Sequence, residues 1–522
     1  MKVGIYDRWL TALGGGERMA LALAETLAAD HEVDVIAHHA IDLDQAAAKL
    51  NVDTSRLRLR CVPERSDDDR LAPLTSAYDL FIAASQATFI PACARHNWML
   101  VFFPYPTELS PAARFRRRAA LWLRRWLRVP VFADGFYGAE RDGEQLLRWT
   151  DGRARLQIPL SSRRVPVRLL VKAPTASGPV RLAVRLNGQA LGTWDVPPDG
   201  QSLPIEITAQ ADRAGMATIE LISGTQTQPI GARDARSVGV ALQRVVIDAG
   251  RYRWYQRVFE QRFKHWGLRL LSIPSDRGAE ALRTYSTVLA ISRFTQTWIQ
   301  TYWSRSSELL YPPVDVAAFQ PGGKQPIILT VGRIFAGGHN KKHLPMIETF
   351  KRLIDDGLRD WEFHIVGSVD EGAAHQAYFQ QVTQAARGYP IRLHRDASRA
   401  ELQTLYGAAK IYWHASGYGE DARRDPIKFE HFGITTVEAM AAGAVPIVLG
   451  QAGQLEVVEH ERSGLQWLTL EELAAQTRHV IDDQALWSRL SAGAIERSRA
   501  FDRAAFDRRV RQLIAMTMSA PS

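Results

Sequence analysis

The spacing of apolar and polar positions divides the chain into regions of different periodicity. Over the first 130 residues, short apolar runs such as 3–6 and 98–103 alternate with helical patterns such as 16–29. This alternation predicts a parallel sheet covered by helices. From about 131 to 248 the apolar positions recur every second residue between turns rich in Gly, Pro, Asn and Asp. That period predicts an antiparallel β-sandwich.

Alternating strand and helix signals return after this region. They run from 285 to 303, and a Pro- and Gly-rich stretch at 311–323 is typical of a linker between domains. Apolar runs such as 327–332 then alternate with helices again. We therefore predict an α/β fold with two Rossmann-like domains and an all-β insertion. The predicted units are an N-terminal domain at 1–130 and 249–318, an inserted β-sandwich at 131–248, a C-terminal domain at 319–500, and a helix and tail at 501–522.

The composition is that of a multidomain globular protein. A chain of 522 residues exceeds what one hydrophobic core usually serves, and 46% hydrophobic with 23% charged residues is ordinary globular usage. Asp7 and Arg8 interrupt the first apolar run too early for a signal peptide, and no run approaches the roughly eighteen apolar residues that span a bilayer. The two cysteines, Cys61 and Cys93, give no disulfide framework. These features predict a cytoplasmic protein.

The excess of basic residues favours anionic partners. The net charge is +9, and seven arginines lie within 114–128, among leucines and two tryptophans. A basic helix that carries tryptophan can lie on an anionic membrane, which would make the protein peripheral at the inner face of the membrane. The alternative is a surface helix whose apolar stripe packs on the core while its arginines face water. We do not expect nucleic acid as a partner, because no basic-aromatic motif accompanies the charge.

The segment at 430–450 contains the most informative motif. Glu430 and Glu438 are eight residues apart, and Gly433 between them permits a tight turn. Apolar residues follow helical spacing from Ile434 onward, so Glu430 is expected on the turn and Glu438 on the helix. The amino terminus of a helix suits a pyrophosphate group, and carboxylates pair with sugar hydroxyls. The motif therefore predicts a site for a nucleotide sugar.

This motif resembles the Glu-x7-Glu signature of a large family of retaining glycosyltransferases with the GT-B fold. The family includes sucrose synthases, bacterial phosphatidylinositol mannosyltransferases and the mannosyltransferases of lipid-linked oligosaccharide assembly, and the chain resembles its bacterial, family-4-like members over 1–125 and 250–515. The resemblance implies two Rossmann-like domains facing one cleft, with the acceptor on the N-terminal side. It also implies that Glu430 contacts the hydroxyls of the donor sugar and Glu438 the ribose. The donor site would include the residues between them, Phe432, Gly433, Ile434 and Thr435.

Basic residues after the strand at 327–332 extend the resemblance. Arg333 follows this strand, and the pair Lys341 and Lys342 precedes the next helix. The resemblance implies that an arginine and a lysine at these places neutralise the leaving diphosphate, which requires charge in a desolvated cleft. We assign this role to Arg333 and Lys342, with Lys341 as the alternative. Together with Glu430 they are the predicted catalytic residues.

Three glycines, Gly14, Gly15 and Gly16, join the first strand to the first helix. They lack the G-x-G-x-x-G spacing of a dinucleotide site, so a nicotinamide cofactor is not favoured. The resemblance implies instead that their backbone lines the cleft beside the donor. The insertion resembles a β-rich module found within or beside bacterial polysaccharide-type glycosyltransferases.

Several residues allow more than one interpretation, and one departs from the family. Relatives commonly carry a histidine where this chain has Pro104, so no acid–base or sugar-binding histidine is carried over there. His414 is either a core histidine or part of the cleft wall. The aspartates at 67–69 are interpreted as a solvated loop rather than a metal site, and Asp234 and Arg236 as a structural pair. No metal or other cofactor is expected, because Arg333, Lys342 and the helix end can stabilise the diphosphate.

The resemblance implies a retaining glycosyltransferase. It would transfer a hexose from a GDP- or UDP-linked donor to a glycan or lipid-linked saccharide in cell-surface polysaccharide synthesis, by attack on the front face of the sugar. Two alternatives stay open: a nucleotide-sugar epimerase of the same architecture, and a non-catalytic carbohydrate-binding scaffold. The four charged positions of the predicted donor site disfavour the scaffold, and the Glu-x7-Glu context and the large insertion disfavour the epimerase.

Overall fold

The computed structural model describes most of the chain. The described residues are 1–62, 71–85, 88–107, 111–137, 140–142, 145–160, 164–174, 178–198, 200–212, 215–229, 235–248, 250–260, 277–338, 340–370 and 372–519. The aspartates at 67–69 and Asp234 lie outside these ranges, so the interpretations of both stay predictions.

The first part of the chain forms parallel strands with helices between them, as its pattern predicts. The strands are β1 (Lys2–Tyr6), β2 (Glu32–Ala37), β3 (Leu57–Cys61), β4 (Leu80–Ala83) and β5 (His96–Val101). The helices are α1 (Gly15–Ala28), α2 (Leu43–Leu50), α3 (Ala72–Thr75) and α4 (Pro111–Leu127). Strand β1 lies between β4 and β2, and its Ile5 pairs with Ile82 on one side and Val35 on the other. Such strands are buried on both faces, which explains their continuous apolar runs.

The middle of the chain forms antiparallel strands. They are β6 (Val131–Phe136), β7 (Glu140–Asp142), β8 (Gln145–Pro159), β9 (Arg164–Lys172), β10 (Val180–Leu186), β11 (Gln189–Val196), β12 (Leu203–Gln210), β13 (Met216–Ser223), β14 (Gln226–Pro229), β15 (Ala235–Val238) and β16 (Ala241–Ile247). Strand β8 pairs with β13 through its second half and with β16 through its first, so it joins the two parts of one nine-stranded sheet among the described residues. Buried residues of both parts, such as Val184 and Val167, belong to one core. The antiparallel strands are confirmed, whereas the sandwich stays a prediction.

The chain then returns to the first sheet. Helix α5 (Gly250–Tyr255) leads out of the antiparallel region, and the returning elements are α6 (Arg277–Leu282), β17 (Thr287–Ala290), α7 (Arg293–Trp303) and β18 (Glu308–Leu309). Within the described residues, the completed sheet has the order β18-β17-β5-β4-β1-β2-β3, and every neighbouring pair is parallel. The antiparallel strands thus lie in the chain between two parts of one parallel sheet.

A second parallel sheet follows. Its strands are β19 (Gln325–Val331), β20 (Glu362–Gly367), β21 (Ile391–Arg395), β22 (Ala409–His414), β23 (Val445–Leu449) and β24 (Leu465–Trp467). The helices of this part are α8 (His343–Asp355), α9 (Ala373–Ala386), α10 (Arg399–Ala408), α11 (Ile434–Ala441), α12 (Gln454–Val457), α13 (Leu470–Asp482), α14 (Gln484–Ser498) and α15 (Arg503–Ser519). The strand order, for the part of the chain described, is β21-β20-β19-β22-β23-β24. Two α/β sheets are therefore present, although the limits predicted for the domains stay predictions.

Side chains at the helix ends fix where several helices begin. Ser292 accepts the backbone N–H of Thr295 at the start of α7. Ser398 and Thr469 do the same for α10 and α13, and in each case a glutamate three residues later accepts the N–H of the capping residue. These reciprocal bonds satisfy amide groups that a helix leaves without partners at its start. The polar residues just before the apolar runs therefore determine the helix boundaries.

The last helix, α15, packs on the first sheet's helix α1 rather than on the sheet that precedes it in the chain. Arg503 pairs with Glu25 at 2.7 Å, and Thr26 donates to Asp507 at 2.7 Å. The buried side chain of Phe506 lies in the same hydrophobic core as apolar residues of α1 and α11. The core thus extends across both α/β sheets. In the described part of the chain, we find no helix that is both long and apolar enough to cross a membrane.

We predict that Phe506→Ala weakens this crossing contact. Phe506 is 3% exposed, and loss of a buried phenyl ring typically costs about 3–5 kcal/mol of unfolding free energy. Thermal or urea denaturation of the full chain measures the effect. Met516→Ala on the same helix is the matched control, because Met516 is 55% exposed and should change stability by less than about 0.5 kcal/mol. Equal stability of the two variants would contradict the packing described.

Candidate active site

The two loops predicted to hold the donor lie against each other across the two sheets. A Cβ atom added at Gly15 would lie 3.4 Å from Cδ1 of Ile434, the first residue of α11. Gly14 precedes α1 with extended backbone, and its N–H donates to Glu17 at 2.7 Å. A Cβ at Gly16 would lie 3.3 Å from the ring of Phe102. The starts of α1 and α11 therefore face the same space, with little room for side chains on the glycine loop.

Gly433 occupies a position that other residues cannot adopt without strain. Its φ is 110°, and a Cβ atom there would lie 2.2 Å from Nε2 of Gln454. Gly453 is comparably constrained, because its Cβ would lie 2.4 Å from the carbonyl oxygen of His431. The Gly453 N–H donates to the Glu430 carbonyl at 2.9 Å. The two glycines thus fix the turn that carries Glu430.

Glu430 lies between two nitrogen-bearing side chains. Lys341 Nζ is 2.5 Å from Glu430 Oε2, and His414 Nε2 is 3.2 Å from the same oxygen. Burial alone would raise the pKa of Glu430, but the charge of Lys341 and the hydrogen bond from His414 hold that pKa well below its usual value. The carboxylate is therefore ionised at neutral pH and can accept hydrogen bonds.

The position of His414 fits both interpretations that the sequence left open, a core histidine and a side chain beside the site. The residue ends β22, is 4% exposed, and contacts Glu430. Burial lowers the pKa of its imidazole, which opposes the effect of the nearby carboxylate. A largely neutral ring can still donate from Nε2 to Glu430. His414 is thus a buried side chain that also orients a residue of the candidate site.

The two adjacent lysines point to different partners. Lys341 contacts Glu430, whereas Lys342 Nζ lies 2.7 Å from Oε1 of Glu420. Lys428 contacts the other oxygen of Glu420 at 2.8 Å. Lys342 precedes α8 with a left-handed φ of 58°, which turns the chain between the two side chains. The structure therefore brings Lys341, and not Lys342, next to the Glu-x7-Glu motif.

Arg333 follows β19 and is itself exposed, next to the buried Ile334. Its guanidinium carbon lies 5.4 Å from the centre of the Phe335 ring, and that ring stacks on His375 at 4.5 Å. Cations over aromatic faces are attracted by the ring quadrupole. Arg333 is thus exposed and held beside an aromatic pair at the carboxyl end of the second sheet.

Glu438 lies on α11 and is 7% exposed. The Tyr406 hydroxyl donates to its Oε2 at 3.0 Å, and Arg18 NH1 of α1 is 3.9 Å from its Oε1. Burial raises the pKa of Glu438 to about 7, with Arg18 acting in the opposite direction. Thr435 nearby accepts a hydrogen bond on Oγ1 from Tyr412 at 2.8 Å. Helix α11 is therefore tied on one side to tyrosines of its own sheet.

Phe432 contributes to the core rather than to an open surface. Its side chain is 2% exposed and packs on the rings of Tyr311 and Phe501, with ring centres 5.5 and 5.3 Å away. In this conformation only its backbone is available to a ligand. The apolar neighbours of Phe432 come from the linker and the segment before α15, which sequence spacing does not reveal.

Two charged residues beside the site were not predicted to take part in it. Arg18 reaches Glu438 from the other sheet. Asp7, directly after β1, is 1% exposed and accepts hydrogen bonds from the Trp9 N–H at 2.9 Å and the Ser85 hydroxyl at 3.2 Å. Burial and the charge of Glu17 raise the pKa of Asp7 to about 7. The sequence signal for Asp7 was a charged residue at the end of an apolar strand, and for Arg18 it was the position directly after the glycine loop and Glu17.

Comparison with protein families matches residues 315–497 to the family described as glycosyl transferases group 1. A curated relative, the GDP-Man:Man(3)GlcNAc(2)-PP-Dol alpha-1,2-mannosyltransferase of Dictyostelium discoideum, is 24% identical over 216 residues. The match covers 37% of this chain and 40% of the relative, so the chain spans about two fifths of the length of the curated relative it matches.

Solved structures share the fold over the whole chain. A glycosyltransferase from Rickettsia africae has a TM-score of 0.53 at 12% identity, with 100% of this chain and 99% of that chain covered. HepE from Anabaena, in complex with UDP and glucose, has a TM-score of 0.51 at 13% identity, with 100% of both chains covered. Likeness at this identity shows the fold alone. Two parallel α/β sheets, as predicted, are therefore a feature shared with these glycosyltransferases, and the family match covers the second sheet.

We predict that Gly433→Ala disrupts the turn before α11. The left-handed φ alone costs about 1–2 kcal/mol for a residue with a side chain, and the overlap with Gln454 adds to that cost. The melting temperature of the full chain measures the combined effect. Gly419→Ala is the matched control, since Gly419 has a φ of 77° but no atom within 4 Å of an added Cβ. If both variants lose the same stability, the contact with Gln454 does not constrain this position.

Proposed function

We propose that the chain is a retaining glycosyltransferase that transfers a hexose from a nucleotide sugar to a glycan or lipid-linked saccharide, in cell-surface polysaccharide synthesis. The observation that carries this proposal is the ionised carboxylate of Glu430, which is held between Lys341 and His414 opposite the glycine loop. Carboxylates in this state accept hydrogen bonds from sugar hydroxyls, and a neighbouring ammonium group suits phosphate.

The donor would lie between the starts of α1 and α11. In this arrangement Glu430 accepts hydroxyl groups of the sugar and Glu438 those of the ribose, while amide groups of the glycine loop and of α11 face the diphosphate. We assign diphosphate neutralisation to Arg333 and Lys341, in place of Lys342. The reason is that Lys342 pairs with Glu420, whereas Lys341 already lies in the site.

The reaction would proceed on one face of the sugar. The bond between the anomeric carbon and the diphosphate oxygen breaks, the acceptor oxygen forms a bond to that carbon from the same side, and its proton passes to the leaving diphosphate. Negative charge grows on the diphosphate as it leaves, so fixed cations stabilise the transition state more than the bound donor. Contact between the two sheets would exclude water from this step.

The similar proteins support a GDP- or UDP-linked donor. The Dictyostelium relative is named for GDP-Man, and the Anabaena structure contains UDP and glucose. We propose a donor from these two groups, with no metal needed for the diphosphate because Arg333 and Lys341 supply the positive charge.

We predict that GDP-mannose or UDP-glucose raises the melting temperature of the full chain. A ligand at 100 times its Kd stabilises the folded state by about 2.7 kcal/mol.

Glu438→Ala should weaken nucleotide binding, because contacts to the ribose change little during the reaction. Arg333→Ala should mainly lower turnover, on the order of 10²-fold, because negative charge grows on the diphosphate as it leaves. Lys341→Ala should lower turnover more than the matched control Lys342→Ala. Equal, small effects from all four variants would remove the site assignment.

A second part of the proposal concerns helix α4. Its sequence contains no acidic residue, and Phe115 and Trp122 are 73% and 65% exposed. Exposed aromatic rings among arginines match an anionic lipid surface, where the rings enter the interface and the cations pair with headgroups. Leu127 is buried, so the helix is anchored at its end. We propose that α4 holds the enzyme peripherally at the inner face of the membrane, beside a lipid-linked acceptor.

We predict salt-sensitive binding to vesicles that contain anionic lipid. Each basic side chain near the surface contributes about 1 kcal/mol, and this attraction is screened by salt. Co-sedimentation should show loss of binding when four exposed arginines of α4 are changed to glutamine, namely Arg114, Arg116, Arg118 and Arg125. The matched control changes four exposed arginines of the antiparallel sheet, namely Arg164, Arg168, Arg181 and Arg185. If both variants bind like wild type, or wild type does not bind at low salt, α4 is an ordinary solvated helix.

A further inference from the structure

A charged pair links helices α1 and α11, which belong to different sheets. Arg18 lies in the first turn of α1, and Glu438 lies one turn into α11. Arg18 NH1 is 3.9 Å from Glu438 Oε1, and the two side chains are only 16% and 10% exposed. Charges attract strongly when little water lies around them. The pair is therefore an electrostatic contact inside the cleft and not a surface ion pair.

The geometry of this pair leaves the Glu438 carboxylate able to accept hydrogen bonds from another group. A distance of 3.9 Å exceeds that of a hydrogen bond, so Arg18 acts on Glu438 through its charge without occupying the lone pairs of Oε1. Oε2 accepts the Tyr406 hydroxyl at 3.0 Å, which fixes the orientation of the group. Glu438 thus has one oxygen held by its own sheet and one oxygen next to a cation of the opposite sheet.

The other charged and titratable groups around Glu438 favour its ionised form less than Arg18 does. Tyr406 and Arg399 come from α10, and Asp315 from the linker. Asp315 pairs with Arg399 at 2.5 Å and with Asn51 at 2.7 Å, so much of the charge of Arg399 is already compensated. Arg18 is the strongest of the influences that favour the ionised form of Glu438, against burial. The charge state of Glu438 therefore depends chiefly on a residue of the other sheet.

We propose that Arg18 is a positioning residue of the nucleotide site, which keeps Glu438 as a carboxylate ready to accept the ribose hydroxyls. This inference rests on the proposed function, because it concerns the same nucleotide. It adds that the first sheet supplies a necessary charge to a site built on the second. Contact between the sheets places Arg18 beside Glu438, and nucleotide binding needs the ionised Glu438. Nucleotide binding and contact between the sheets would therefore favour each other.

The consequence for binding follows from the ionisation of Glu438. A carboxylate accepts hydrogen bonds at both oxygens, whereas a protonated carboxyl group has lost part of this capacity. The pKa of Glu438 is about 7 in the presence of Arg18. Loss of Arg18 raises this pKa further, so less than about half of the Glu438 side chains remain ionised at pH 7. Affinity for nucleotide should then fall severalfold at pH 7 and recover at higher pH.

The binding test uses calorimetric titration of the full chain with GDP and with UDP from pH 6 to 9. Arg18→Gln should weaken binding severalfold at pH 7 and approach wild type near pH 9, while Arg18→Lys, which keeps the charge, should restore part of the affinity. Glu438→Gln should bind weakly at every pH. The matched control is Arg352→Gln, which removes an arginine paired with a glutamate at 3.5 Å on the surface. An Arg18→Gln variant with wild-type affinity and pH profile would overturn the proposal.

A stability measurement without nucleotide separates this inference from the proposed function. The pKa of folded Glu438 lies above its ordinary 4.5, so the folded protein holds a proton that the unfolded chain releases between pH 4.5 and 7, and stability falls as pH rises across that range. Loss of Arg18 raises the pKa of folded Glu438 further, so stability continues to fall up to a higher pH. The melting temperature of Arg18→Gln should therefore drop further below wild type at pH 8.5 than at pH 6.

The double variant makes this second test specific. In a Glu438→Gln background, Arg18→Gln should lower the melting temperature by an amount that does not change with pH, because the titrating group is gone. A pH-dependent loss that persists there would overturn the proposed coupling. If the coupling is found but wild type binds neither GDP nor UDP, the proposed function fails and Arg18 has no role in a nucleotide site.

Discussion

The ion pair between Lys341 and Glu430 joins the start of α8 to the turn before α11, and the candidate site is organised around it. A carboxylate removed from most of its water stays ionised only beside a compensating charge. Lys341 supplies that charge and His414 a hydrogen bond. The backbone carbonyl of Glu430 accepts the N–H of Gly453. The acidic group is thus fixed on both sides before any substrate enters.

Close backbone approach is the second condition for this arrangement. Gly433 and Gly453 allow the turn to pass beside Gln454 and His431, where a methyl group would overlap with existing atoms. Gly15 brings the loop after β1 next to Ile434. Each glycine therefore lacks a side chain at a place where two elements are in close contact. The same closeness brings the starts of α1 and α11 together, and helix starts are suited to an anion.

Contacts between the two sheets are both polar and apolar. Glu456 of α12 accepts the backbone N–H groups of Arg293 and Phe294 at 2.9 and 3.2 Å, so a carboxylate of one sheet caps helix α7 of the other. Tyr311 of the linker donates to the same carboxylate at 2.9 Å. Helix α15 returns to α1 through the ion pair of Arg503 with Glu25 and through the buried ring of Phe506.

The sequence by itself determined the elements and the main motif of this protein. Apolar spacing predicts the parallel and antiparallel strands, because burial on one or both faces imposes that spacing. The position of Gly433 between two glutamates predicts a turn before a helix for the same local reason. Tertiary structure alone decided that Lys341 and not Lys342 meets Glu430, that Phe432 is buried, and that Arg18 faces Glu438. These facts depend on side-chain direction and on contacts between residues far apart in the chain, and spacing along a sequence contains neither.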